Sequence, residues 1–410
     1  MRALFCSPLA LRPCHTFAVP LLVVLCLLLR ASTIIKPFCN RIERYTRAWP
    51  MPSTSIPGPH CTPRSSVCLL KTHKCASTAV QNVLMRYGER HGLTFALPRY
   101  DVNLGHPLFF NRTQVMGSPP FDMLVHHIRF QEAEVRAVLK TDAVYVTIVR
   151  EPAALFESLF SYYNLEPQIG VKLEQLSSAV KNASLTEKIQ AILPGPHRGD
   201  QGINQMSFDL GFDIEQVDNV SAMQAFLEHV DTVFDLVMVA ERINESLVLL
   251  RHLLCWDVDD VVVFRLNARQ EHFRRPMNAT LADELLSLNA ADSMLYQYFV
   301  RRFEQRVQAF GREHMQKELT LLEQRTQFWY ERCVEQEVAA DKRKNNVFSD
   351  KVLTLQLRNE VDPVCYRMTE VETLFTKQLR FRQLRDKYIR RRHSSRSSLN
   401  PARTAGSSIP

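Results

Sequence analysis

The sequence predicts an α/β protein with a central parallel sheet flanked by helices and a ligand site at the carboxyl ends of the strands. Three stretches carry that prediction. Cys68-Leu69-Leu70 is the end of an apolar strand that runs into a cationic, hydroxyl-rich turn, Lys71 to Cys75, and then an amphipathic helix that begins around Ser77-Thr78. The run from Ala143 to Val149 is short and β-branched, as a strand buried on both faces requires, and it stops at Arg150-Glu151-Pro152. Proline suits a first helical turn, so a helix is expected from Pro152 through about Tyr163. Leu236 to Ala240 reads as another buried strand, followed by a helix from Glu245 to Leu254.

The remaining segments follow in chain order. Residues 1–12 carry Arg2 and Arg12 and read as a cytoplasmic N-terminus. The apolar run Phe17 to Leu29 is closed by Arg30, which leaves no small-residue cleavage site, so residues 13–30 are expected to form a type II signal-anchor. Residues 31–65 contain Pro37, Pro50, Pro52, Pro57, Pro59 and Pro63; this density blocks helix and central strand and reads as a luminal stem. Residues 66–375 read as one folded domain, for which a hydrophobic fraction of 46% in 410 residues is ample. Within it, Leu173 to Leu193 has helical spacing up to the loop Pro194-Gly195-Pro196, and Ala282–Phe310 and Glu313–Cys333 read as long amphipathic helices. Residues 376–410 form a basic, Ser/Arg-rich tail whose arginines and Lys387 account for most of the net charge of +8. Without a folded binding motif it reads as a solvated face and not as a nucleic-acid site; anionic lipid headgroups or acidic glycans are the partners its charge allows.

Five N-x-[ST] sequons, at Asn111, Asn182, Asn219, Asn244 and Asn278, lie beyond the expected anchor. Seven of the ten cysteines, Cys39, Cys61, Cys68, Cys75, Cys255, Cys333 and Cys365, lie on the same side. An odd number leaves at least one thiol free or bonded to another chain, and the pairing is unreadable from spacing. With no C-x-x-C pair, no structural zinc or other metal is expected.

The candidate site is built from anion-binding parts. A helix N-terminus presents unpaired N–H groups and a positive dipole end; Ser77 and Thr78 beside Lys71 and Lys74 would complete a site for a phosphate or phosphosulfate. The glycines of a Walker loop are missing, which argues against an ordinary nucleotide triphosphatase. Arg150 at a strand end and Ser158 two helical turns on suit a second terminal phosphate. Two such sites on neighbouring strand-helix units fit a nucleotide with phosphates at both ends of its ribose. His73 and His127, beside these elements, are the candidate general bases.

Lys71-Thr72-His73-Lys74 with Ala76-Ser77-Thr78, His126-His127-Ile128-Arg129-Phe130, and Val149-Arg150-Glu151-Pro152 with Ser158 together resemble the galactose 3-O-sulfotransferase family. Phe208-Asp209-Leu210-Gly211-Phe212-Asp213, Asp235 to Glu241, Glu245 to Leu250, Leu254 to Asp257 and Phe264 to Arg269 extend the similarity over roughly residues 66–335. The resemblance implies a P-loop-like sulfotransferase fold and a Golgi membrane enzyme with a luminal catalytic domain. The enzyme would move a sulfuryl group from 3′-phosphoadenosine 5′-phosphosulfate to the 3-hydroxyl of a terminal β-galactose on a glycolipid, galactosylceramide included, or a glycoprotein. It assigns Lys74, Ser77 and Thr78, with Lys71, to the phosphosulfate and Arg150 with Ser158 to the 3′-phosphate. His127, His73 and Lys74 become the catalytic set, His127 also resembling a histidine of uronyl 2-O-sulfotransferases. Arg129 either orients His127 or acceptor oxygens or is a surface charge. The chain departs from the family pattern at Cys75 and Ala79, where hydroxyls are common, and at Leu353-Thr354-Leu355-Gln356-Leu357. A uronyl acceptor, or a non-catalytic glycan-binding relative, remains an alternative at this level, and homo-oligomers are allowed.

Overall fold

The structure, a computed structural model, describes residues 61–175, 202–265, 269–270, 273, 277–340, 351–359 and 362–397, with side chains of the last helix described to residue 389. The expected signal-anchor, most of the stem, the segment 176–201 with Asn182 and the Pro194 loop, and the end of the tail lie outside this set. Among the described residues no helix is long and apolar enough to cross a membrane.

In chain order the elements are β1 (Val67–Leu70), α1 (Ser77–Arg90), β2 (Leu97–Pro98), β3 (Val115–Met116), β4 (Met123–Leu124), α2 (Glu132–Val138), β5 (Val144–Val149), α3 (Pro152–Tyr162) and α4 (Glu166–Ile169). There follow α5 (Gln205–Asp209), α6 (Val220–Val233), β6 (Leu236–Val239), α7 (Ile243–Leu254), α8 (Ala279–Leu288), α9 (Ala290–Phe310), α10 (Arg312–Cys333), β7 (Val334–Ala339), β8 (Leu353–Leu357), α11 (Pro363–Thr369) and α12 (Glu372–Ser397). The main sheet has the order β4-β1-β5-β6, with every pairing parallel. β1, β5 and β6 are buried at every residue, which is why their sequences run apolar without alternation.

The register of β1 on β5, Val67 against Val144 through Leu70 against Thr147, is continued by side chains. Thr147 donates its hydroxyl to the Leu70 carbonyl at 3.0 Å and Thr72 donates to the Ile148 carbonyl at 2.6 Å. The carboxyl ends of the two central strands are thus fixed side by side, and both anion-site turns leave from the same edge.

Three boundaries differ from the sequence expectation, and one segment to which no element was assigned gains one. The last stem residues already belong to the domain: Cys61 is disulfide-bonded to Cys255, and the Trp256 indole donates to the Arg64 carbonyl at 2.9 Å. The helix expected over Ala282–Phe310 is two helices, because Asn289 ends α8 and accepts, on its side-chain oxygen, the Asn204 backbone N–H at 2.8 Å. Leu353–Leu357 is a strand, paired antiparallel with β7. The tail does not begin at residue 376, since α12 is a helix whose first turns bury Phe375, Thr376 and Leu379. A second disulfide, Cys333–Cys365, ties the end of α10 to α11, while Cys68 and Cys75 are free and buried.

Candidate active site

The turn between β1 and α1 curls without glycine. Lys74 and Ala76 both take the left-handed backbone, at φ 57° and 59°. Residues other than glycine hold such angles at a cost of order 1–3 kcal/mol, and do so when neighbours over-determine them. Here the Ser77 hydroxyl donates to the Thr72 carbonyl at 2.7 Å and the Cys75 thiol to the His73 carbonyl at 3.2 Å. The departure from a hydroxyl at Cys75 is accommodated: burial pushes its thiol pKa up, keeping it a neutral donor. No side chain caps the N-terminus of α1; the Ala79 N–H turns back to the Ala76 carbonyl at 3.1 Å, and the N–H groups ahead of it stay open to an anion.

Lys74, half-buried, lays its ammonium over the Tyr162 ring, 3.5 Å from the centroid. Burial, with Arg150, Arg269 and Lys71 nearby, lowers its pKa to about 7. Such a cation lacks a counter-charge that a bound anion would supply. Lys71 is different. It is buried and paired with Glu372 of α12, whose other oxygen accepts from Gln81 at 2.8 Å. In this structure its ammonium pairs inside the protein, a placement different from the anion-binding one expected from the sequence. The Ser77 hydroxyl donates to the Thr72 carbonyl, so in this structure its side chain shapes the loop. Thr78 stands half-buried on the first turn of α1.

The second turn is built otherwise. Arg150 leaves the end of β5 and donates to the Lys74 carbonyl at 2.8 Å, bracing one turn against the other. The N-terminus of α3 is already capped, since Glu151 accepts from the N–H groups of Ala153 (3.1 Å) and Ala154 (2.6 Å). Ser158 lies half-buried on α3, next to Glu157, which holds Arg269 at 2.7 Å.

The histidines form a stacked row. His127 and His73 stack at a centroid distance of 4.0 Å and an interplanar angle of 18°, and His106 lies 4.7 Å beyond His73. His127 Nδ1 is 2.8 Å from the Lys71 carbonyl. A carbonyl only accepts, so Nδ1 carries the proton and Nε2 keeps its lone pair. Burial, followed by His73 and Lys71, holds the His127 pKa well below the ordinary imidazole value. His73 Nδ1 faces Asp209 at 2.9 Å, and His106 Nε2 reaches the other carboxylate oxygen at 3.1 Å. Burial would raise the Asp209 pKa, but the two imidazoles bring it well below the carboxylate range. Burial lowers that of His73 in spite of Asp209. The His73, His106 and Asp209 atoms lie within 4.8 Å of one another, close enough to hold a metal ion, and hydrogen bonds account for each of them.

Asp209 is placed from two directions. Asp292 on α9 accepts from the backbone N–H groups of Met206 (3.0 Å) and Ser207 (2.8 Å), fixing the start of α5. Gly211 follows at φ +90°, where an added Cβ would stand 2.5 Å from the Phe130 carbonyl. Arg129 lies with its guanidinium 4.0 Å from the centroids of both Phe109 and Phe208 and donates to the Phe212 carbonyl at 3.3 Å, bracing the same block.

The structure therefore brings together Lys74, Thr78, Arg150, His73 and His127 and adds four groups that sequence reasoning missed: His106, Asp209, Glu372 and Tyr162. Asp209 lay inside a recognised block without a role; the other three carried no local signal.

The sequence model of the galactose-3-O-sulfotransferase family matches residues 14–379. A galactosylceramide sulfotransferase of Homo sapiens is 36% identical over 273 residues, 64% of this chain and 62% of that protein. The Mus musculus galactosylceramide sulfotransferase is 32% identical over 336 residues, 78% of this chain and 79% of that protein. Galactose-3-O-sulfotransferase 3 of Mus musculus is 38% identical over 305 residues, covering 72% of this chain and 69% of that protein. The similarity thus runs beyond residues 66–335 at both ends. The chain belongs to the galactose-3-O-sulfotransferase family.

Proposed function

We propose that this protein transfers a sulfuryl group from 3′-phosphoadenosine 5′-phosphosulfate to the 3-hydroxyl of a terminal β-galactose on a glycolipid or glycoprotein. One observation carries the reading. The base candidate His127 hangs by its Nδ1 from the carbonyl of Lys71, at the start of the loop whose uncapped helix end and unneutralised Lys74 suit the phosphosulfate.

In this reading the N–H groups at the start of α1, Thr78 and the Lys74 ammonium hold the phosphosulfate, and Arg150 with Ser158 holds the 3′-phosphate. The acceptor oxygen attacks sulfur as its proton passes to His127 Nε2. A new O–S bond forms, the bond from sulfur to the bridging oxygen breaks, and its electron pair stays on the 5′-phosphate beside Lys74. His73, deeper and tied to Asp209, stacks on the imidazolium that forms, and the Asp209 charge lies one ring away to offset it. The test is incubation of the protein with sulfur-labelled donor and a panel of galactosides and uronides. Label on the galactose 3-hydroxyl supports the reading; label on uronic acid, or donor binding without transfer to any acceptor, overturns it.

The same proposal places the chain in the Golgi membrane, anchored through residues 13–30 with its catalytic domain in the lumen. Two disulfides support an oxidising compartment. The exposed Asn111, Asn219 and Asn278 each use the side-chain oxygen to cap a helix start; on Asn111 and Asn278 this leaves the amide nitrogen as the glycan attachment point, while that of Asn219 donates to Gln216 at 3.2 Å. Glycosidase treatment of cell-expressed protein should increase its gel mobility; no change, with the domain open to cytosolic protease, contradicts the topology.

A further inference from the structure

α12 carries apolar residues on two opposite sides. Phe375 and Leu379 are buried against the body of the protein. About half a turn round the helix, Phe381, Leu384 and Tyr388 follow at i, i+3 and i+7 and are 69%, 50% and 65% exposed. Tyr100, 83% exposed, sits between the carbonyls of Pro98 and Asp101, both held by Arg380 of the same helix at 3.1 and 2.7 Å, so a third exposed ring lies beside the stripe.

The charge on this helix is mostly of one sign. Beyond Glu372, Asp386 is the only side-chain carboxylate in residues 373–410, against Lys377, Arg380, Arg382, Arg385, Lys387, Arg390, Arg391, Arg392 and Arg396 in the helix alone. Arg380 and Arg382 are committed to backbone carbonyls of the body. Arg385 and Lys387 flank the exposed stripe. A second copy of this face would bring like charges together, and an acidic soluble partner would leave the aromatic rings in water. A surface that offers both an apolar layer and negative charge satisfies both features at once.

We propose that the outward side of α12 docks on an anionic bilayer, with Phe381, Leu384 and Tyr388 entering the headgroup layer while Arg385 and Lys387 pair with lipid anions. The stripe lies beyond residue 379, where the match to the family model ends, and the proposal depends neither on the sulfation reading nor on which leaflet the domain faces, phosphatidylserine serving only as the probe anion.

The test places a genetically encoded environment-sensitive fluorophore at position 384 of the full chain, reconstituted into phosphatidylcholine vesicles with and without phosphatidylserine. Emission should shift to the blue with phosphatidylserine, and high salt or Arg385→Glu with Lys387→Glu should reverse the shift. The same fluorophore at position 328, an exposed aromatic position on α10, should not respond and reports that the domain is intact. Equal emission in both vesicles overturns the proposal. A shift that follows protein concentration and ignores phosphatidylserine also overturns it, and assigns the face to self-association.

Discussion

The two strand-helix turns at the carboxyl edge of the sheet start from similar parts and end differently. Both follow a fully buried parallel strand, and both place cations at the start of a helix. The β1–α1 turn leaves its helix end uncapped and its Lys74 without a counter-charge. The β5–α3 turn fills its own helix end with Glu151 and turns Arg150 back to brace the first loop. An unfilled helix end beside an unneutralised cation is set up to receive an anion. A filled one offers only side chains, so in the proposed reading the 3′-phosphate is left to Arg150 and Ser158, with no help from the helix dipole. In the proposed reading the first turn also carries the chemistry, because the Lys71 carbonyl orients His127.

The largest expected effect belongs to the chemistry on the open turn. His127→Ala should lower turnover about a hundredfold or more, the range of a lost general base, while nucleotide binding persists. Near-normal turnover in that variant moves the role to His73; near-normal turnover in His73→Ala as well removes histidine base catalysis. With His127 held far below the ordinary imidazole pKa, it stays neutral in mildly acidic solution, so turnover should decline only at a pH well under 6.5.

Next comes anion capture. Lys74→Ala and Arg150→Ala should each cost about 1.5–3 kcal/mol of affinity for the desulfated nucleotide, read by calorimetry. The Arg150 variant sharpens the comparison: since Arg150 also braces the Lys74 carbonyl, its loss should weaken both ends, whereas a nucleotide lacking the 3′-phosphate should still feel Lys74. The smallest effect belongs to the filled turn. Glu151→Ala should destabilise the fold by about 1 kcal/mol, as a lost N-cap does, and leave nucleotide affinity nearly unchanged. A large loss of affinity there would mean that the second turn binds through its helix end after all.

How much of this could be read in the sequence divides along the same line. The strands and the two turns were legible because apolar runs ending in Lys71 and Arg150 are local signals. The break at Asn289 was not, because helical spacing continues through it and the bonds that mark the break include a long-range one from Asn204. Asp209 meets His73 across 136 positions and Glu372 meets Lys71 across 301. No periodicity reports such pairs. The same holds for Lys71, whose charge reads as available in the sequence while its partner Glu372 stands on α12.

The central claim, that the open β1–α1 turn captures the donor through Lys74, is tested most directly by nucleotide binding as a function of pH. An ammonium with a pKa near 7 in the free protein is largely neutral above that value, and a bound anion pulls its pKa up. Binding of the desulfated nucleotide should therefore take up protons near neutrality and weaken as the pH rises through about 7, and Lys74→Ala should abolish that dependence along with most of the affinity. Affinity that is flat with pH in the parent protein and unchanged in a folded Lys74→Ala variant would contradict the account.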